Sequence, residues 1–231
     1  MKIESFPRKL FLFRNNLCMF AQTQNELHNM KHMSILAVSL LALVACTPEK
    51  KQEADYSQYV NPMIGTDFTG NTYPGAQVPF GMVQLSPDNG LPGWDRISGY
   101  FYPDTTIAGF SHTHLSGTGA GDLYDISFMP VTRPYKEAPA PLGIYSTFSH
   151  NDEAASAGYY RVLLKDYNIN VELTATERCG IQRYTFPEAE ASVFLNLKKA
   201  MNWDFTLDSK IEVVDSTTIR GYRLSQGWSP L

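Results

Sequence analysis

Cysteine is scarce in this chain of 231 residues, which contains three. Cys18 and Cys46 lie within the first fifty residues, so Cys179 stands alone in the rest of the sequence. This distribution excludes the disulfide framework that holds many small extracellular domains together. A lone cysteine is more often a small buried residue than a nucleophile, and we expect Cys179 to be buried.

Basic residues are also few. The 19 lysines and arginines are outnumbered by 23 acidic residues, the net charge is -4, and no run of Lys and Arg occurs. This balance argues against a nucleic-acid partner and favours an uncharged ligand over a polyanion. A hydrophobic content of 43% is sufficient for a buried core.

Helical periodicity is missing after residue 60, where proline and glycine instead punctuate short alternating segments. Val171, Leu173 and Ala175 fall on one face of such a segment. The pattern predicts an all-β domain, an antiparallel β-sandwich, over residues 59–231. Individual strands are predicted at 82–86, 99–103, 123–132 and 191–197, the last mostly buried, with a hairpin over 209–225 that turns at Asp215 and Ser216.

An unbroken apolar or small-residue run from Ser34 to Ala45 precedes Cys46 and follows Met30, Lys31 and His32. It is short for a membrane span, and "LVAC" at its end resembles the lipobox of bacterial lipoproteins. We therefore expect a signal peptide over 30–45, a lipidated Cys46, a flexible tether over 46–58 and an upstream extension without a fold over 1–29. The protein would be exported and membrane-anchored, in the periplasm or on the cell surface. The alternatives are a transmembrane anchor or a chance apolar run.

The segment "GFSHTHLSGTGAGD", residues 109–122, concentrates histidine, hydroxyl and glycine residues. Its glycines do not form a dinucleotide fingerprint, because Asp122 stands where a third glycine is needed and a strand pattern follows. His112 and His114, two residues apart, would face the same side of a strand and could bind a metal with Asp122 or Asp125. The alternative is that the histidines hydrogen-bond to the backbone of a crowded loop.

A pocket for a sugar is the third interpretation of this segment. Sugars need short polar residues on open backbone for their hydroxyls and aromatic rings for their apolar faces. Trp94, Asp95, Tyr100 and Tyr102 precede the glycine-rich segment by a few residues. The alternative is that these aromatic residues belong to the core.

Several long motifs resemble a known family: "YVNPMIGTD", "NTYPGAQVPFGMVQLSPD", "GYFYPDTTIAGFSHTHLSGTGAGD" and "RYTF". They are similar to the N-terminal β-sandwich domain of glycoside hydrolase family 92, which consists of bacterial exo-acting α-mannosidases. The resemblance covers Tyr59 to the end of the chain. It implies a two-domain, calcium-dependent, inverting glycosidase whose active site lies between the sandwich and an (α/α)6 barrel.

The resemblance places the catalytic acid and base on the barrel domain, so no catalytic residue and no metal ligand is assigned here. The chain is expected to be truncated before the barrel and inactive alone. Its partners would be a mannose-containing glycan, the barrel domain and, through the lipid, a membrane. The alternative is a stand-alone carbohydrate-binding surface lipoprotein. The residues implied to form part of the mannose-binding wall are Gly75, Trp94, Asp95, Tyr100, His112, His114 and Ser116.

Overall fold

The computed structural model describes residues 54–117, 119–140, 142–198 and 202–227. The expected upstream extension, the signal peptide, Cys46 and most of the tether lie outside the described residues. In the described part of the chain, no helix has both the length and the apolar character needed to cross a bilayer.

The described residues form fourteen strands and three short 3₁₀ helices, without an α-helix, which confirms the all-β prediction. The helices are η1 (Ser57–Tyr59), η2 (Trp94–Arg96) and η3 (His150–Asp152). The strands are β1 (Ser86–Asp88), β2 (Thr106–Ile107), β3 (Gly109–Ser111), β4 (Ser127–Thr132), β5 (Glu137–Ala138), β6 (Gly143–Ile144), β7 (Ser146–Thr147), β8 (Glu153–Ser156), β9 (Tyr159–Leu164), β10 (Ile169–Ala175), β11 (Gly180–Thr185), β12 (Ala191–Asn196), β13 (Phe205–Val213) and β14 (Ile219–Gln226).

Two four-stranded antiparallel sheets carry the core, one in the order β1-β3-β4-β12 and the other in the order β11-β10-β9-β8. In the first, Phe110 is paired with both Pro87 and Phe128. In the second, the alternation predicted for Val171, Leu173 and Ala175 is confirmed, because all three are buried. The apolar faces of both sheets contribute to a single core cluster, which is the arrangement of a sandwich.

The hairpin formed by β13 and β14 is confirmed at its predicted place. Its loop closes where the backbone N–H groups of Val214 and Asp215 donate to the carbonyl of Thr218. Both strands expose most of their residues.

Five local predictions are wrong. The strand expected from Met82 begins at Ser86, and Leu85 makes only an isolated bridge to Ala76. Residues 99–103 form turns instead of a strand. The strand expected from Leu123 begins at Ser127, since Leu123, Tyr124 and Ile126 have positive φ, outside the β region.

The fourth concerns burial in β12, which was expected to be mostly buried. Each of its residues is exposed or partly exposed, because the strand lies at the edge of its sheet. Cys179, also expected to be buried, is exposed. It lies in the turn between β10 and β11, where its N–H donates to the hydroxyl of Thr176.

Candidate functional site

His114 lies buried at the start of the glycine-rich loop, which we define as residues 115–122. Its Nδ1 is 2.7 Å from the carbonyl oxygen of Gln84, and its Nε2 is 2.9 Å from Oδ1 of Asp88 and 3.2 Å from Oγ of Ser111. Its ring also packs against Tyr73, with ring centroids 5.1 Å apart. Both ring nitrogens are engaged by protein oxygens, so His114 anchors the loop to the core instead of facing a ligand.

His112 points to a different set of partners. Its Nδ1 is 2.8 Å from the carbonyl oxygen of Ile126, and its Nε2 is 3.5 Å from Nε2 of Gln182. Burial lowers the pKa of His112 below its ordinary value, which favours the neutral imidazole. The backbone contacts of His112 and His114 support the crowded-loop alternative. Among the described residues, no group of three His, Cys, Asp or Glu side chains is placed to hold a metal ion.

The glycine-rich loop has a backbone that requires glycine. Gly117 and Gly119 have φ of +93° and +119°, which side chains other than hydrogen rarely allow. The N–H of Gly117 donates to the carbonyl of Asn71 over 2.7 Å and fixes the middle of the loop. Ser116 is exposed on this loop. The loop therefore presents open backbone and a hydroxyl at the surface.

Trp94 lies in η2 and keeps 53% of its surface exposed. Its ring meets that of Trp203 edge to face, with centroids 5.9 Å apart and planes at 69°. Trp203 in turn packs on the glycine-rich loop, because a Cβ added to Gly121 would lie 3.1 Å from its Cε3 atom. Trp203 thus connects Trp94 with the glycine-rich loop. Asp95 follows Trp94 in η2 and is partly exposed.

Tyr100 and Gly75 are placed differently. Tyr100 is fully buried in the core, and its hydroxyl donates to the carboxylate of Glu153 at 3.0 Å, so it lies behind the surface and not on it. Burial raises the pKa of Tyr100. Gly75 is buried too, where a Cβ would lie 2.2 Å from the carbonyl oxygen of Leu85. It lines a groove of about 390 Å³ together with Ser116.

Sequence reasoning missed Trp203 and Arg223. Trp203 is 109 residues beyond Trp94. The one local feature that marks a turn there is the preceding Asn202, because asparagine tolerates the left-handed φ of +57° that this position takes. Asn202 joins the two tryptophan segments, since its Oδ1 accepts the N–H of Gly93 over 2.8 Å. No pattern in the sequence pairs segments so far apart.

Arg223 of β14 is buried between two carboxylates. Its guanidinium contacts Asp125 and Asp204, and its Nε lies 3.0 Å from Oγ1 of Thr206. Burial raises the pKa of Asp204, whereas its bond to Arg223 acts in the opposite direction. Arg223 therefore holds together the hairpin, the Trp203 turn and Asp125, which follows the glycine-rich loop.

The fold is that of a β-sandwich domain with an exposed tryptophan pair beside a glycine-rich loop. A model of the glycosyl hydrolase family 92 N-terminal domain matches residues 59–230, and the chain belongs to this family.

Two solved structures show the same fold. The GH92 α-mannosidase BT3965 of Bacteroides thetaiotaomicron, solved with mannoimidazole, is 43% identical, with a TM-score of 0.71 over 75% of this chain and 24% of that chain. The GH92 inverting mannosidase BT2199 of the same organism is 29% identical, with a TM-score of 0.61 over 78% of this chain and 24% of that chain.

A more distant relative is described as an uncharacterized secreted glycosidase of Arthroderma benhamiae. It is 26% identical over 172 residues, which are 70% of this chain and 21% of that protein. The chain therefore spans about a quarter of the length of the relatives that it matches.

Proposed function

We propose that the chain supplies one wall of the mannose-binding subsite of an exported, calcium-dependent, inverting α-mannosidase that acts on terminal α-mannose of glycans. Membership of family 92 and 43% identity to a solved α-mannosidase support this proposal. The observation that carries it is the exposed Trp94 beside the glycine-rich loop, since an aromatic ring and open backbone suit a neutral hexose.

The electrostatics of this surface agree with an uncharged ligand. The imidazole of His114 is engaged by Asp88, and the guanidinium of Arg223 by Asp125 and Asp204. These internal contacts direct the imidazole and the guanidinium at protein carboxylates and not at the surface. Recognition would therefore depend on hydroxyl contacts and ring stacking.

Inverting hydrolysis needs a general acid on the leaving oxygen and a general base that activates water across the sugar. In this proposal both belong to the barrel domain, and no Asp or Glu of this chain takes either role. Calcium is proposed as a property of the longer enzyme, and this chain's residues are assigned no part in binding it.

Export and lipidation form a separate part of the proposal. A relative described as a secreted glycosidase supports export, and the apolar run before Cys46 supports a lipid anchor. Mass spectrometry of membrane-extracted protein tests the anchor. A diacylated N-terminal Cys46 is expected, and an unmodified chain that starts upstream of residue 30 would contradict it.

Hydrolysis assays test the catalytic part. The purified chain is expected to show no turnover of aryl α-mannosides with calcium present, and turnover would overturn the assignment of the acid and base to another domain. Binding is tested by ¹⁹F NMR of protein labelled with 5-fluorotryptophan.

In the binding experiment, methyl α-mannoside at about 10 mM, a range suited to weak ligands, should shift the Trp94 resonance. Phe80→Ala is the matched control, because Phe80 is a fully exposed aromatic residue outside the tryptophan pair. The control should leave the shift intact, and an unmoved Trp94 resonance would refute the sugar wall. Calorimetric binding in the micromolar range would instead favour the stand-alone carbohydrate-binding lipoprotein.

A further inference from the structure

We propose that the outer edge of β12 is a self-association surface, at which two copies of the chain pair in antiparallel orientation. One side of β12 is bonded to β4, and among the described strands β12 pairs with no other. Three features of the outer edge support a second copy as its occupant: the direction of its backbone groups, its side chains and the charges that flank it. The proposal is independent of the sugar wall.

Every second residue of β12 directs its backbone groups away from β4. Just before the strand, the N–H of Arg133 donates to the carbonyl of Glu190, so the even-numbered residues face β4. Val193 lies opposite Pro130, which has no N–H to donate, in agreement with this assignment. The outward N–H and C=O groups therefore belong to Ala191, Val193 and Leu195. A further strand would bind to these groups.

The side chains of β12 leave this edge unprotected. Edge strands usually carry charged residues or proline, which discourage pairing with another chain. The other edge strands of the two main sheets do so: β1 contains Pro87 and Asp88, β8 contains Glu153 and β11 contains Arg183. β12 has the sequence ASVFLN, with neither charge nor proline, and Val193 at its centre is 46% exposed. Its composition therefore permits pairing.

Charges of opposite sign flank β12 at its two ends. Glu188 and Glu190 precede the strand, Lys198 follows it, and all three are exposed. An antiparallel second copy would place the acidic start of each strand beside the basic end of the other. Opposite charges that face each other across two strands stabilise the pair, whereas like charges destabilise it. The flanking charges thus complement a second copy of the same strand.

One register matches the side chains along the whole edge, and it places Phe194 opposite Phe194 of the second copy. The other pairs in this register are Glu190 with Lys198, Ser192 with Asn196 and Val193 with Leu195. Each pair joins acid with base, polar with polar or apolar with apolar. The adjacent register, centred on Val193, would instead place Ser192 opposite Phe194 and is less complementary.

Space for the second copy is present beside Phe194. A groove of about 560 Å³ borders Phe194 and Asn196 and is also lined by Leu142 and Ile144. Phe194 packs against the core and meets the ring of Tyr135, with centroids 5.1 Å apart. The Phe194 ring of the second copy would therefore extend an apolar surface that is already in place.

Sedimentation velocity of the purified chain tests the association. Serine replaces Cys18, Cys46 and Cys179, which keeps lipid and native disulfides out of the measurement. Six paired residues form a small interface, so we expect a weak dimer with a Kd of about 10–100 µM. The weight-average mass should rise with concentration from that of one 25.9 kDa chain towards that of two.

Charge exchange tests the orientation of the two copies. Glu190→Lys or Lys198→Glu alone turns both flanking pairs repulsive and should weaken the dimer about tenfold. The double variant restores opposite charges and should recover the native Kd, which a folding defect or nonspecific aggregation would not produce. Failure of the double variant to recover would contradict the antiparallel arrangement.

Cysteine cross-linking tests the register in the same serine background. Ser192→Cys and Asn196→Cys would lie opposite each other in a non-hydrogen-bonded pair, where side chains are close. Each is offset from its own copy by four residues, about 13 Å. A mixture of the two variants should form disulfide-linked dimers under mild oxidation, and either variant alone should not. A chain that stays monomeric up to about 500 µM, well above the expected Kd, would overturn the inference, as would equal cross-linking with and without mixing.

Discussion

Nε2 of His114 lies 2.9 Å from Oδ1 of Asp88, and neither side chain has exposed surface. Asp88 ends β1, and His114 directly precedes the glycine-rich loop, so this contact joins the first sheet to the start of the loop. Gly99 fits against both side chains, since a Cβ there would lie 2.9 Å from Oδ1 of Asp88 and 3.0 Å from Cδ2 of His114. The position of the loop is thus set from the core side.

Removal of the His114 imidazole should be strongly destabilising. His114→Ala leaves the buried Oδ1 of Asp88 without this contact, and a buried polar group that loses a hydrogen-bond partner costs about 1–3 kcal/mol. Urea unfolding of the two proteins measures the difference in the free energy of unfolding. Arg183→Ala is the control: Nε of Arg183 also contacts a carboxylate, that of Glu172 at 2.6 Å, but the Arg183 side chain is 71% exposed. Water can replace its contact, so a loss in the control as large as that in His114→Ala would contradict the argument.

Arg223 should be at least as important as His114 for stability, although it lies on an otherwise exposed hairpin. Its side chain is 1% exposed, and Arg223→Ala strands the carboxylate of Asp204, which is 2% exposed. We expect a loss of about 3–5 kcal/mol in urea unfolding, partly recovered by adding Asp204→Asn. Because Asp204 follows Trp203, the Trp203 resonance in ¹⁹F NMR should also broaden.

Arg220 provides the matched control on the same strand. It pairs with Glu212 at 3.0 Å, but its side chain is 70% exposed, and such pairs contribute little. Arg220→Ala should therefore leave the stability and the Trp203 resonance unchanged. Equal effects of the two substitutions would show that burial of the ion pair is not the cause.

The sequence predicted most where its patterns were local. The alternation in β10 and the turn of the β13–β14 hairpin depend on neighbouring residues, and both are confirmed. The strand expected from Leu123 failed because positive φ values at Leu123 and Tyr124 are imposed by the surroundings of the loop. Tyr124 is buried there, and its hydroxyl donates to the carbonyl of Ile97, a contact that alternation does not reveal.

The candidate site was only partly predictable for the same reason. Trp94 and Ser116 belong to motifs that suggest a surface, and both are exposed. Tyr100 has the same local context but lies in the core, because its hydroxyl reaches the buried Glu153 on a distant strand. Trp203 comes beside Trp94 through the long-range bond between Gly93 and Asn202.

Two glycines distinguish backbone strain from lack of space. Gly99 and Gly117 have φ of +88° and +93°, so alanine at either position should cost about 1–2 kcal/mol for its backbone. Gly117 has no atom within 4 Å of an added Cβ, whereas Gly99 faces Asp88 and His114 at about 3 Å. In urea unfolding, Gly99→Ala should lower the free energy of unfolding by about 1–3 kcal/mol more than Gly117→Ala, because only the Cβ at Gly99 is forced into a packed region. Equal losses would mean that the contact between Gly99 and His114 adjusts freely.

Protonation of His112 should lower the free energy of unfolding in mild acid. Its pKa is lowered from 6.5 by burial, so the folded protein binds the proton less readily than the unfolded chain. The contribution of the neutral ring is therefore complete above pH 6.5 and is lost as the pH falls through that value towards the lower pKa of the folded state.

His112→Asn removes the titration but keeps an N–H donor for the carbonyl of Ile126, which accepts from Nδ1 in the native protein. The free energy of unfolding, measured in urea from pH 8 to pH 5, should fall more steeply with acid in the native protein than in the variant. The difference in slope cannot exceed about 1.4 kcal/mol per pH unit, the limit for one proton. The other histidines are present in both proteins, so their contributions to the pH dependence cancel when the two slopes are compared. If the free energies of unfolding of the two proteins run parallel across the pH range, His112 binds its proton equally well in the folded and unfolded states. Burial would then not be what keeps the imidazole neutral in the folded protein.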